Sequence, residues 1–271
     1  MFKHLTRTRR DRQTRKPSWI TVAAALLPMA NAWSAEAPTD AWQFELTPYV
    51  WGAAMKGDVQ AGMLPRTTVD MSFADIVEVL DAAGMVAFEA WKDGWGVLLD
   101  VIYLEVSDSA KASRMGPAGN TLTATAALQQ QMTLLSAAIA YRMAEGRAPV
   151  DILGGLRYVK NKVDVDIEAS LFGQTGLAGR SGDKDWVDPY VGIRIQQPLF
   201  ERWTLTAYAD YGGFGVNSDS TWQVQLGLDY GFTDAVSAKF GYRVMNTDYD
   251  KGGFLMDMKT EGLYLGLGIR F

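Results

Sequence analysis

The final strand limits the fold most. Leu263, Leu265, Leu267, Ile269 and Phe271 share one face of an extended chain, and Gly262, Tyr264, Gly266, Gly268 and Arg270 share the other. A strict two-residue period is a β-strand that is apolar on one side. The same period opens the chain's body, where Trp42, Phe44, Leu46 and Val50 oppose Gln43, Glu45, Thr47 and Tyr49. Ten such segments can be traced: Trp42 to Val59, Ala83 to Trp91, Trp95 to Val106, Thr121 to Met143, Val150 to Ile167, Asp185 to Leu199, Trp203 to Phe214, Thr221 to Tyr230, Ala235 to Thr247 and Met256 to Phe271. The body has no apolar run of about 20 residues, which excludes helical membrane spanning. The mean hydropathy of −0.06 is compatible with a barrel, because outward and inward residues alternate and cancel. The expected fold is all-β: an antiparallel up-and-down transmembrane β-barrel of about ten strands, with eight or twelve as alternatives.

What precedes the strands fits this reading. Lys3, Arg7, Arg9, Arg10, Arg12, Arg15 and Lys16 lead into an apolar core from Ile20 to Met29, followed by Ala30-Asn31-Ala32. That order is a secretory signal, with cleavage expected after Ala32 or alternatively after Ala35. Residues 1–32 are therefore the expected signal peptide and residues 33–271 the barrel domain. Removal takes seven of the 26 basic residues and one of the 31 acids, leaving net charge −11. So acidic a domain is a poor nucleic-acid binder. The absence of cysteine excludes disulfides, thiolate catalysis and a lipoprotein anchor.

The connections carry their own signals. Lys92-Asp93-Gly94 predicts a tight hairpin. Polar loops are expected over Asp108 to Asn120 and Ala169 to Lys184, and connections tend to alternate long and short. Long outer loops and short periplasmic turns are typical of outer-membrane barrels. In the first long connection, Ser72 with Asp75 reads as a capping box. Phe73, Ile76, Val77 and Leu80 follow at helical spacing, predicting a short amphipathic helix from Phe73 to Leu80. Its stripe either folds into the outer mouth as a plug or packs on loops or at the membrane interface.

Turning the apolar face of each strand to lipid turns the polar face inward. The inward acids are then Glu45, Glu89, Asp100, Asp151, Asp188, Asp210 and Asp229, and the inward bases Arg142, Arg157, Arg194, Lys239, Arg243 and Arg270. Near-balanced charge predicts a lumen of ion pairs rather than an ion-selective channel. Outward aromatics form two expected girdles: Trp95, Tyr141, Trp203 and Phe271 near short turns, and Tyr103, Tyr158 and Trp222 nearer the loops. Asp248, Asp250 and Asp257, with Asp164, Asp166 and Glu168, are acidic clusters that could hold calcium or bridge lipopolysaccharide cations, although no EF-hand spacing is present.

The runs DWVDPYVGIRI from Asp185, YADYGGFGVNSDSTWQVQLGLDYGF from Tyr208, FGYRVMNTDYD from Phe240 and GLYLGLGIRF at the end resemble a porin-like family of small Gram-negative outer-membrane barrel proteins. VLLDVIYLEVS from Val97 and GGLRYV from Gly154 do so too. The resemblance covers most of the mature chain and implies fold and location, not an activity. Tyr264, Leu267, Ile269 and Phe271 resemble the C-terminal sorting signal of barrel precursors, which implies the barrel-assembly machinery as a partner. Outer-membrane lipid and lipopolysaccharide are the other expected partners, and no cofactor is expected. Barrel enzymes such as the outer-membrane phospholipase, lipid A deacylase and omptin-type proteases use histidine, which exchanges a proton near neutral pH. The single histidine here is His4, inside the export signal. The sequence therefore predicts a non-enzymatic outer-membrane barrel with a structural or surface-interaction role. A narrow passive pore for small solutes is the second reading, and an enzyme acting on lipid or peptide the third.

Overall fold

The computed structural model describes residues 41–61, 66–115, 121–144, 148–171 and 174–271. The expected export signal, with both candidate cleavage sites, lies outside them. The elements are β1 (Gln43–Ala61), β2 (Thr67–Met71), α1 (Phe73–Val79), β3 (Leu80–Lys92), β4 (Trp95–Met115), β5 (Thr121–Ala144), β6 (Val150–Leu171), β7 (Gln174–Phe200), β8 (Trp203–Gly212), β9 (Ser220–Gly231), β10 (Val236–Lys251) and β11 (Phe254–Arg270). β1 and β3 to β11 close into a ring of ten strands, each antiparallel to its neighbours. β2 pairs only with the outer end of β1. The seam where the chain ends meet is held by Phe44 and Phe271, which exchange backbone hydrogen bonds of 3.1 and 3.0 Å.

Local chemistry explains the turns. Asp93 and Gly94 both have positive φ, 51° and 78°, the conformation that lets a two-residue turn match the strand twist. Gly252 and Gly253, at 63° and 77°, do the same between β10 and β11. The Ser72 capping box forms both ways: Asp75 N–H donates to Ser72 Oγ at 3.3 Å and Ser72 N–H to Asp75 Oδ2 at 3.0 Å. The helix ends at Val79, and Leu80 already has extended geometry as the first residue of β3.

The described parts of two expected loops are strand instead, with residues 116–120 and 172–173 outside the described residues. β4 runs on to Met115, β6 to Leu171, and β7 begins at Gln174. These strands overrun the ring. β3 pairs with β4 only up to Val106, and β8 pairs with β7 only from Tyr190. Beyond those points β4, β5, β6 and β7 continue as a four-stranded sheet, to Met115↔Thr121 and Leu171↔Gln174. On β7 the overrun from Gln174 to Pro189 is roughly 50 Å of strand. Water bathes both faces there, so no apolar alternation marks it. The connection from Gly212 to Ser220 belongs to the same outer end, so the short turn that Asn217-Ser218-Asp219 suggests in the sequence is part of a longer outer connection.

Apolar side chains cover the ring's exterior, among them Val97, Leu99, Ile139, Leu156, Val191, Leu226, Leu263 and Leu265. At the short-turn end, Trp95 packs on Tyr141 (4.9 Å between ring centroids), Trp203 on Tyr230 (4.8 Å) and Phe44 on Phe271 (5.7 Å). An apolar belt with an aromatic rim is the exterior of a membrane-spanning barrel.

Candidate functional site

The interior is layered. At the short-turn end, Glu45 pairs with Arg270 at 2.7 Å and with Lys239, which also reaches Asp229 at 3.7 Å. Beside it, Arg194 binds Glu89 at 2.8 Å and Asp151 at 2.9 Å, and Asp151 binds Arg142 at 2.8 Å. Trp91 organises this layer: its indole N–H donates to Glu89 at 2.9 Å, while Arg142 and Arg194 sit over its ring at 4.5 and 5.2 Å. Glu45 and Glu89 are cross-strand partners, a repulsive placement that the three surrounding cations offset.

Midway, Arg157 makes a two-point pair with Asp210 at 2.7 and 3.2 Å and donates to Ser136 and Thr221. Tyr208 donates to the same carboxylate at 2.7 Å. Arg243 pairs with Asp100 at 3.0 Å, donates twice to Gln223 and lies over Trp51 at 4.8 Å. The Tyr49 hydroxyl donates to Asp100 at 2.6 Å. A cavity of about 160 Å³ lies among these groups, walled also by Ala87, Leu98, Tyr190 and Tyr264. Asp188 is bound without a cation: the Ser218 N–H donates at 2.8 Å, the Ser218 hydroxyl donates as well, and the Trp186 indole donates at 2.9 Å. These bonds hold the connection from Gly212 to Ser220 over the outer mouth.

Twelve of the thirteen inward charges named from the sequence thus meet in ion pairs, and Asp188 is the other. Of the layer beyond them the sequence marks only Ile102, on a strand whose inward face also carries the apolar Leu98 and Leu104. Trp51, Ile102, Leu134, Val159, Trp186, Met245 and Tyr249 pack together inside the outer half of the barrel, with Met85, Phe254 and Met256 against them. Their signal was present: large apolar residues on the otherwise polar, inward face of successive strands.

The plug expected from α1 is not in the mouth. Only Ile76 of the stripe is buried, while Phe73, Val77 and Leu80 are exposed. The Phe73 ring lies against Gly52, whose cross-strand partner Leu263 faces the belt, so the helix sits on the outer face of the wall. The reason is the inward apolar layer, which already fills the space the stripe would have occupied. Of the expected sorting residues, Leu267, Ile269 and Phe271 face outward, but Tyr264 turns into the lumen. Its ring crosses Gly241 and Gly227, where any Cβ would collide with it. Asp248 and Asp257 are cross-strand partners above the belt, but among the described residues no group of three or more acids converges as a metal site.

No protein-family model matches the chain, and no curated protein does. Among solved structures, the outer membrane protease OmpT from Escherichia coli is similar at 12% identity, covering 86% of this chain and 98% of that one, with a TM-score of 0.46. The translocator domain of the autotransporter NalP from Neisseria meningitidis is similar at 14% identity, 85% and 87% coverage and a TM-score of 0.38. The attachment invasion locus protein Ail of Yersinia pestis follows at 14% identity, 86% and 99% coverage and a TM-score of 0.33. The chain's own geometry decides its class. A closed cycle of ten antiparallel strands, an apolar belt with an aromatic rim and a polar, ion-paired interior make it an integral outer-membrane β-barrel.

Proposed function

We propose that this protein is a non-enzymatic, non-conducting barrel that acts at the cell surface through the sheet it raises above the membrane. The observation that carries this reading is the overrun of β4 to β7 beyond their ring neighbours. A barrel needs only about 9 to 11 residues per strand to span the bilayer, so the extra length has a role outside it. The face of the sheet continuous with the lumen wall exposes Leu128 and Ile167, apolar groups that favour contact with another surface. The ion-paired layers and the apolar layer above them argue against a through-channel. Lipopolysaccharide would meet the outer rim, and the assembly machinery the strand ending at Phe271.

Two measurements test this. In planar bilayers the purified protein should give no stable stepwise conductance under modest voltage; regular steps would overturn the non-conducting reading in favour of a narrow pore. Cutting the sheet back on all four strands to the level of Val106 should leave heat-modifiable gel migration intact and reduce adhesion of cells that display the protein. Unchanged adhesion by a correctly assembled truncation would remove the surface role.

A further inference from the structure

Beside a two-residue gap at Thr47 and Pro48 on the β11 side, the pairing of the ring has a longer break between β1 and β3. β1 pairs with β3 from Gln43↔Trp91 to Pro48↔Val86 and no further. Its next pairing on that side is Met55↔Met71, with β2. Residues Tyr49 to Ala54 therefore have no strand partner on the β3 side, and Leu80 to Met85 of β3 have none on the β1 side. The order of the elements explains where the pairing stops: after β1 the chain leaves the ring, returns along β1 as β2, and spends about 10 Å on the helix before β3 starts.

The break lies at the depth of the outer leaflet. Across β1, its residues face Gly266 to Glu261 of β11, where Leu265 and Leu263 are 59% and 69% exposed on the belt. Across β3, they face Val106 to Ile102 of β4, with Tyr103 outward. Backbone groups left unpaired in hydrocarbon cost several kcal/mol each, yet across the break the Trp51 N–H donates to the Met85 sulfur at 3.2 Å, a weak acceptor on a flexible side chain. On the β3 side the outer approach is open, since a Cβ on Gly84 would meet nothing within 4 Å, while on the β1 side the Phe73 ring of α1 lies over Gly52. Inside, Tyr49 and Ala87 at the break's lower end line the 160 Å³ cavity, while Met85 and Trp51 belong to the apolar layer above it. The cavity wall is mixed, with Ala87, Leu98, Leu153 and the Tyr190 ring beside the paired charges.

We propose that the break between β1 and β3 is a lateral portal, through which the acyl chain of an outer-leaflet lipid reaches the lumen cavity, with α1 as its outer cover. The occupant follows from the surroundings. The rim is small or apolar at Gly52, Gly84, Met85 and Ile76, the belt delivers hydrocarbon to it, and the exposed Phe73, Val77 and Leu80 continue that apolar surface across the helix. A charged or sugar-like group would lose its hydration at this rim without a free partner, since the charges facing the cavity are already paired.

The test is carbene photolabelling of the full barrel in vesicles containing a phospholipid with a diazirine on its acyl chain, followed by residue-level mass spectrometry. Adducts are expected on the inward Tyr49, Met85 and Ala87 as well as on the outward belt. Gly84→Phe, which fills the outer approach from the lipid side, should cut the inward adducts several-fold and leave those on Leu263 and Leu265 unchanged. If only outward residues are labelled, the break is sealed and the proposal falls. If a water-soluble diazirine labels the three inward residues and the lipid probe does not, the break opens to water and the proposal falls equally. Neither outcome bears on conductance or adhesion, so the portal and the surface role fail separately.

Discussion

Removing one partner of the Arg157–Asp210 pair should be far more damaging than removing the whole cluster. Both side chains are essentially shielded from solvent, at 1% and 0% exposure. Arg157→Met strands the Asp210 carboxylate in the middle of the barrel with the Tyr208 hydroxyl as its remaining donor, and takes the guanidinium away from Ser136 and Thr221. Breaking a buried ion pair from one side costs about 3–5 kcal/mol, because the other charge stays desolvated without compensation. Replacing the set with apolar groups of similar volume (Arg157→Met, Asp210→Leu and Tyr208→Phe together) removes the desolvation cost along with the attraction, and should fall within about 1–2 kcal/mol of the parent. Urea unfolding in lipid vesicles, followed by tryptophan emission and gel migration, reads both. If the single variant unfolds within about 1 kcal/mol of the parent, or the triple variant is as weak as the single, then this pair does not carry the interior as described.

Four further outcomes follow. Gly227→Ala should lower stability by about 1–3 kcal/mol through overpacking against the Tyr264 ring, and Tyr264→Leu in the same chain should recover most of it in the same unfolding assay. Ser218→Ala removes a donor to Asp188 and should make the connection from Gly212 to Ser220 cleavable by added protease while the barrel stays folded. Burial, and then the nearby Asp257, Asp219 and Asp250, raises the Asp248 carboxyl above its ordinary range. An acid raised in the fold binds its proton better folded than unfolded, so its contribution is present at low pH and lost as pH climbs through that range; Asp248→Asn should therefore raise the melting temperature near pH 7 and leave it close to the parent near pH 3. Deleting Phe271 removes its stack on Phe44 and both seam bonds, and should slow insertion into vesicles containing the assembly machinery.

The ring could be read from the sequence because lipid on one side and a polar interior on the other impose a period of two wherever a strand crosses the bilayer. Ser72 and Asp75 marked the helix start, and Asp93-Gly94 marked a turn, because each needs a specific side chain or backbone conformation. The overruns of β5 and most of β6 are legible as strands from Thr121 and to Ile167, but that of β7 was hidden because Thr175 to Lys184 meets water on both faces, and without a difference between faces the period disappears. The apolar layer was hidden for the opposite reason. Trp51, Ile102 and Trp186 break the polar inward face one residue at a time, and only the ring brings them together from β1, β4 and β7. The seat of α1 depended on that same assembly: an amphipathic stripe calls for an apolar surface without saying which side of the wall supplies it.

The uneven pairing of β1 has a mechanical corollary. It is joined to β11 from Glu45 to Ala61, with only Thr47 and Pro48 skipped, but to β3 only from Gln43 to Pro48. The first strand in the chain therefore travels with the last, and the weakest line in the cylinder lies one strand inside the junction of the termini. Pulled open, or caught late in insertion, the molecule should part between β1 and β3, leaving a curled ten-strand sheet whose free edges are both N-terminal strands.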